Sequence, residues 1–263
     1  MQDVANQNKL MILPLPAFQD NYIWTLRADQ HCVVVDPGDA SVVLEYLRAE
    51  SLELEAILVT HHHPDHTGGI LELLEHFPEA TVFAPDGRQI PGVTVSVQQG
   101  DVVYLNHLGM DFRVEMVAGH TLDHIMYVTD QLVFSGDVIF SAGCGRIFEG
   151  TPEQMLNALD KIMRLPNETL IYCTHEYTAA NLEFAKVVEP NNKTLKDFAT
   201  WVERQRANHF PTVPTNVAEQ KKINPFVRLD SPEVMTFAEA QLGRPAKNRL
   251  EVFTAVRKAK DNF

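Results

Sequence analysis

The chain has 263 residues, enough for a main domain plus a smaller one. Its 45% hydrophobic and 22% charged content is that of an ordinary globular protein. A net charge of -13 argues against nucleic acid as a general partner, because binding phosphate needs a basic surface, although a local basic pocket for a small anion remains compatible. Three widely spaced cysteines, Cys32, Cys144 and Cys173, form no disulfide framework and point to a reducing cytoplasm. Met1–Asn8 is polar without the basic region of a signal peptide, and Leu10–Phe18 is short and broken by Pro14 and Pro16. No stretch approaches the roughly twenty apolar residues of a membrane span.

The chain opens with short strands over 10–15, 22–26 and 32–35, closed by Asp36-Pro37-Gly38. Helical spacing follows over 41–50, with Ser41 as its expected cap. The apolar, β-branched run 55–60 reads as a buried strand and the run 69–77 as a helix. Between them lies Thr60-His61-His62-His63-Pro64-Asp65-His66, with four ligand-type side chains besides His62. That loop sits at the carboxyl end of a strand, where open α/β sheets carry their chemistry. His61 and His63, two apart on extended chain, point the same way and can share one ion. Asp65 and His66 follow the turn and can face a second.

Further strands are expected over 81–84, 93–97, 101–105, 112–117, 125–129 and 132–135, then a helix over 152–164 and a strand over 169–174. His120, Asp137 and His175 each follow an apolar β run, so one sheet edge could gather them with the first motif. If Asp137 bridges, two ions have three protein ligands each and share a carboxylate. Nitrogen and oxygen donors without cysteine suit zinc, iron or manganese. After His175 the pattern becomes helical, over 181–188, 194–207, 232–241 and 248–261, with no strand expected. Residues 208–230 read as a long surface connection containing prolines. The boundary falls near 176, dividing the chain into 1–176 and 177–263.

Thr-His-His-His-Pro-Asp-His-Thr-Gly-Gly at 60–69, Gly-His-Thr at 119–121, Gly-Asp at 136–137 and His175 resemble the metallo-β-lactamase fold superfamily. Gly143–Gly150, Thr174–Thr178 and the ending Arg257–Phe263 are similar to its glyoxalase II (hydroxyacylglutathione hydrolase) branch. The resemblance implies an α/β fold, an αββα sandwich with a C-terminal all-helical domain that binds substrate. It also implies two divalent ions per chain, zinc before iron or manganese. His61, His63 and His120 would hold one, Asp65, His66 and His175 the other, with Asp137 between. Glutathione contacts would come from Arg146, Phe148, His175, Tyr177, Arg257 and Lys260. Family members often carry lysine and tyrosine where this chain has Arg146 and Phe148; arginine keeps the charge, but phenylalanine has no hydroxyl.

The implied reaction is hydrolysis of S-D-lactoylglutathione, or a related 2-hydroxyacylglutathione, in methylglyoxal detoxification. Metals lower the pKa of a shared water, and the resulting hydroxide attacks the thioester while Asp65 and Asp137 hold it. A thiolate of parent pKa about 8.5 then leaves without a strong acid. The expected protein is a cytoplasmic monomer acting on a small glutathione thioester, with neither nucleic acid nor membrane as partner. The alternatives weighed are a glutathione persulfide dioxygenase of the same fold, which needs one iron and usually lacks the helical tail, and another metal-dependent hydrolase. His124 is expected to orient a neighbour. Cys144, flanked by glycines, reads as tight packing rather than as a nucleophile.

Overall fold

The computed structural model describes residues 10–87 and 89–263, so the reading of Met1–Asn8 lies outside the described residues. The chain divides into two compact units, up to Val114 and from Glu115 onward.

In the first unit an antiparallel meander, β1 (Met11–Ala17), β2 (Asn21–Ala28) and β3 (His31–Val35), continues into parallel strands β4 (Glu53–Leu58), β5 (Thr81–Pro85) and β6 (Val95–Val97). Helix α1 (Ala40–Glu50) makes the crossover that parallel β3 and β4 require. Buried Val33, Val34, Ile57 and Leu58 explain why these strands read as continuous apolar runs. The cap of α1 is Asp39, not Ser41: the Asp39 carboxylate accepts the Ser41 N–H at 2.8 Å. The helix expected over 69–77 is present as α3 (Ile70–His76), and a further short helix, α2 (Pro64–Thr67), precedes it inside the histidine loop. The break between the two follows from close backbone packing at Gly69, whose N–H donates to Pro37 O at 2.9 Å and whose added Cβ would meet Ala40 N at 2.6 Å. A hairpin, β7 (Val102–Leu105) with β8 (Met110–Met116), follows.

In the second unit β9 (Ile125–Val128) and β10 (Leu132–Gly136) are antiparallel, and β10 is parallel to β13 (Leu170–Cys173). Helix α4 (Pro152–Met163), started by a Thr151/Gln154 capping box, makes that crossover. A small hairpin, β11 (Ile139–Phe140) with β12 (Gly143–Cys144), precedes it and carried too few residues to show a period. Helices α5 (Thr178–Val188), α6 (Lys193–Ala207), α7 (Val217–Ile223), α8 (Pro232–Leu242) and α9 (Arg249–Asp261) complete the unit.

Two expectations fail in the stretch 208–230. A strand does interrupt the helices: β14 (Thr215–Asn216) pairs antiparallel with β13, Ile171 opposite Thr215. The connection is also not a surface wrap, since Val213, Val217, Ile223, Phe226 and Leu229 are buried and α7 lies within it. The prolines there suit a chain entering a core by a short edge strand as well as a loop. Phe226 sits between Phe184 and Phe253, with ring centroids 6.1 Å from each. Phe226→Ala should therefore lower unfolding free energy by about 3–5 kcal/mol in urea denaturation. A residue in a surface loop would change it by only about 0.5 kcal/mol.

Candidate active site

The first unit presents one set of donors at the carboxyl ends of β3 and β4. Asp36, directly after β3, takes a left-handed φ of 53° and accepts Thr60 N–H at 2.7 Å and the Thr60 hydroxyl at 2.8 Å. Its Oδ2 also lies 3.0 Å from His66 Nδ1. The Thr60 hydroxyl, having donated to Asp36, accepts from His61 Nδ1 at 3.1 Å. His61 Nε2 then lies 3.0 Å from His63 Nδ1, two ring nitrogens converging on one point. Asp65 Oδ2 is 3.5 Å from His66 Nε2 and accepts from Asn21 Nδ2 at 3.0 Å. His61, Asp65 and His66, three of the four expected donors, are thus tied by the unit's own side chains.

The second unit presents the other set. His120 Nδ1 donates to Arg146 O at 2.7 Å, so its Nε2 carries the lone pair. Asp137 Oδ2 lies 3.5 Å from that nitrogen and 3.4 Å from His175 Nε2, a carboxylate oxygen between two imidazoles. His124 fulfils its expectation: Nδ1 lies 3.0 Å from Ile125 O, and Nε2 accepts the Asp137 backbone N–H at 3.1 Å. Gly145 is required here, because an added Cβ would stand 1.9 Å from Asp137 O. Nitrogen and carboxylate donors held in this way fit a divalent cation.

Beside this set, a cleft of about 300 Å³ is lined by His120, Asp137, Phe140, Cys144, Arg146, Phe148, Tyr177, Asn181, Arg257 and Lys260. Every expected substrate contact except His175 lies on it. His175 is covered by Tyr177, stacked at 4.6 Å and 2°. Phe148, 60% exposed, meets His120 edge-on at 5.3 Å. Arg257 and Lys260 share the last turn of α9, yet their surroundings differ. Arg257 is 7% exposed, donates to Cys144 O at 2.9 Å, pairs with Asp261 at 3.0 Å and stands over Phe226 at 5.1 Å. Lys260 Nζ reaches Ala180 O at 3.4 Å between the rings of Phe184 and Phe263, each 5.3 Å away. Burial, then the Arg257 guanidinium, pulls the Lys260 ammonium below the usual lysine range. Burial pushes the Cys144 thiol up, and that of Cys173 to about 12, so both stay protonated at neutral pH.

Sequence reading missed Asp36, Asn21 and Asn181. Asp36 met the criterion applied to Asp137, a carboxylate closing an apolar strand, but Pro37-Gly38 made it look like a turn. Asn21 opens β2 and carried no such signal. Glu176 is a further supporting residue: its carboxylate accepts both the N–H (2.8 Å) and the hydroxyl of Thr212.

Comparison with known proteins follows the same lines. The metallo-β-lactamase superfamily profile matches residues 18–175, and the hydroxyacylglutathione hydrolase C-terminus profile matches residues 176–263. The first defines the class: the α/β metallo-β-lactamase fold, here with a C-terminal helical region, as expected. A Vibrio parahaemolyticus serotype O3:K6 protein named hydroxyacylglutathione hydrolase is 50% identical over 255 residues, covering 97% of this chain and all of that one. A Vibrio campbellii protein of the same name is 49% identical over 261 residues, covering 97% of this chain and all of that one. The crystal structure of ETHE1 from Myxococcus xanthus superposes with a TM-score of 0.64 at 24% identity, covering 96% of this chain and 98% of that one, a likeness of fold. The chain belongs to the hydroxyacylglutathione hydrolase family of the metallo-β-lactamase superfamily. Among the described residues no helix is long and apolar enough to cross a membrane.

Asp36→Ala tests the support in the first unit. It leaves the buried Thr60 N–H and the Thr60 hydroxyl without their acceptor. At about 1–3 kcal/mol per orphaned group, metal-free protein should lose roughly 2 kcal/mol or more in chemical denaturation. Asp36→Asn, which keeps an acceptor oxygen, should lose less.

Proposed function

We propose that the chain hydrolyses the thioester of S-2-hydroxyacylglutathione, S-D-lactoylglutathione foremost, releasing glutathione and D-lactate. The observation that carries this is the second unit's cleft, which joins His120 and Asp137 to the cations Arg146, Arg257 and Lys260. Family membership supports it, as does the match of residues 176–263 to the hydroxyacylglutathione hydrolase C-terminus profile. In this reading 1–176 is the catalytic domain and 177–263 contributes substrate contacts. His61, His63 and His120 would hold one divalent ion and Asp65, His66 and His175 a second, with Asp137 available to both and zinc the leading candidate.

When bound, the ions supply Lewis acidity and an acidified water. The protein's own groups do the rest. Asp65 and Asp137 orient the attacking water, Asp65 being held by Asn21 and Asp137 by the ring of His124. Water gives up a proton to solvent as its oxygen adds to the acyl carbon; the carbonyl then re-forms as the carbon–sulfur bond breaks and its electron pair leaves on sulfur. The glutathione thiolate, with a parent pKa of about 8.5, leaves without a dedicated acid. Cys144 does not attack, since its buried thiol stays protonated and lies 3.6 Å from Arg257 Nη1. Arg146 and Lys260 draw the substrate carboxylates while Tyr177 and Phe148 wall the cleft. Three buried, unbridged cysteines suit a reducing cytoplasm, and a monomer suffices for every group named.

Steady-state hydrolysis of lactoylglutathione by metal-loaded protein, with metal analysis alongside, tests the reading. Turnover and close to two ions per chain are expected, and Asp137→Ala should reduce occupancy at both positions. One tightly held ion unaffected by that substitution, with oxygen uptake on glutathione persulfide, would overturn it.

Lys260 adds a pH dependence. Its charged form binds carboxylate, and its pKa is lowered, so the contact is present below that pKa and lost as pH rises through it. KM for lactoylglutathione should climb on the alkaline side with little change in kcat, the signature of a contact equal in ground and transition states. Lys260→Ala should flatten the climb and cost about tenfold to a hundredfold in kcat/KM at neutral pH.

A further inference from the structure

The cleft has three cations, and the protein supplies one anion to two of them. Asp261, the last residue of α9, sets Oδ1 3.0 Å from Nη2 of Arg257 and 3.6 Å from Nε of Arg146. Its side chain is 38% exposed, whereas that of Arg257 is 8% exposed. Arg257 Nη1 is committed to Cys144 O, and its Nε is buried with no hydrogen-bond partner. Among the described residues Asp261 is therefore the one carboxylate on the inward guanidinium, and its oxygen faces the outward guanidinium too. Among the described residues Lys260 has no carboxylate partner; its contacts there are Ala180 O and two aromatic rings.

We propose that Asp261 is a specificity-determining residue whose carboxylate occupies the Arg146–Arg257 pair that a substrate carboxylate takes, so that binding is an exchange of carboxylates. The inference rests on the reading of this cleft as the glutathione site. A thioester with one carboxylate trades one ion pair for another and gains little. A thioester with a second carboxylate, able to reach Lys260, gains a contact with no internal competitor. Asp261 thus biases the cleft towards peptide thioesters with two carboxylates and against those with one, without touching the reacting atoms.

The test uses Asp261→Asn in the full, metal-loaded chain, with three substrates: lactoylglutathione, the lactoyl thioester of 3-mercaptopropionate, and that of N-acetylcysteamine. KM should fall about two- to fivefold for the first, the range of an exposed ion pair, and at least as far for the second. KM for the neutral thioester and kcat for all three should stay unchanged. Asp230→Asn, an equal change of charge at an exposed site, should alter none of these values. Calorimetry with glutathione itself should show correspondingly tighter binding to Asp261→Asn. An unchanged or raised KM for lactoylglutathione would overturn the proposal and leave Asp261 as a prop for Arg257. Arg146→Ala and Lys260→Ala separate the two levels. If neither moves KM for lactoylglutathione, the cleft reading has failed, and the role of Asp261 falls with it. If they raise KM while Asp261→Asn does not lower it, only the exchange is wrong.

Discussion

Three buried imidazoles, His61, His120 and His124, each direct Nδ1 to an acceptor held close by in the fold: Thr60 Oγ1, Arg146 O and Ile125 O. This commitment sets the tautomer, so Nε2 keeps the lone pair. It also makes burial tolerable, because a ring with one nitrogen satisfied loses less on leaving water. The rest of the local architecture serves those acceptors. Asp36 is held in left-handed backbone because Thr60 and His66 engage its carboxylate from two sides, and aspartate tolerates that region better than most residues. Gly145 gives up a side chain so that the loop can lie against the backbone of Asp137.

Both units reach this arrangement by one device, a pair of adjacent parallel strands joined through a crossover helix. In the first unit β3 and β4 are joined through α1, and their ends carry Asp36 and the Thr60–His61 pair. In the second, β10 and β13 are joined through α4, and their ends carry Asp137 and His175. Parallel neighbours bring two carboxyl ends side by side, which antiparallel neighbours cannot do. The meander strands before them contribute burial and a few supporting side chains, such as Asn21.

This dependence on strand ends explains what could be read from the sequence. A histidine or aspartate closing an apolar β run is a local pattern, so the seven donors and most strands are visible within windows of ten residues. The supporting contacts are not local. Asn21 meets Asp65 across 44 positions, and the buried Arg257 guanidinium finds Cys144 O across 113. Nothing near either residue announces its partner. The stretch 208–230 fails for the same reason. Thr215–Asn216 is a strand only because β13 lies beside it, and α7 has seven residues, too few for a persuasive period.

The last turn of α9 carries stability and recognition in adjacent residues, and the two roles need different probes. Arg257 packs on Phe226, ties the β12 carbonyl of Cys144 and pairs with Asp261, so its removal disturbs the core as well as the cleft. An effect of Arg257→Ala on KM would therefore mix lost substrate contact with lost packing, which are coupled and not additive. Arg146 is different: its side chain is 59% exposed and its one ion pair, with Asp261, is long. Lys260 makes a single long hydrogen bond and two ring contacts. Charge recognition in this cleft is best assigned through those two residues. In the sequence Arg257 and Lys260 look equivalent, three residues apart near the end of one helix. Burial separates them: one cation is built into the wall, and the other is poised above it.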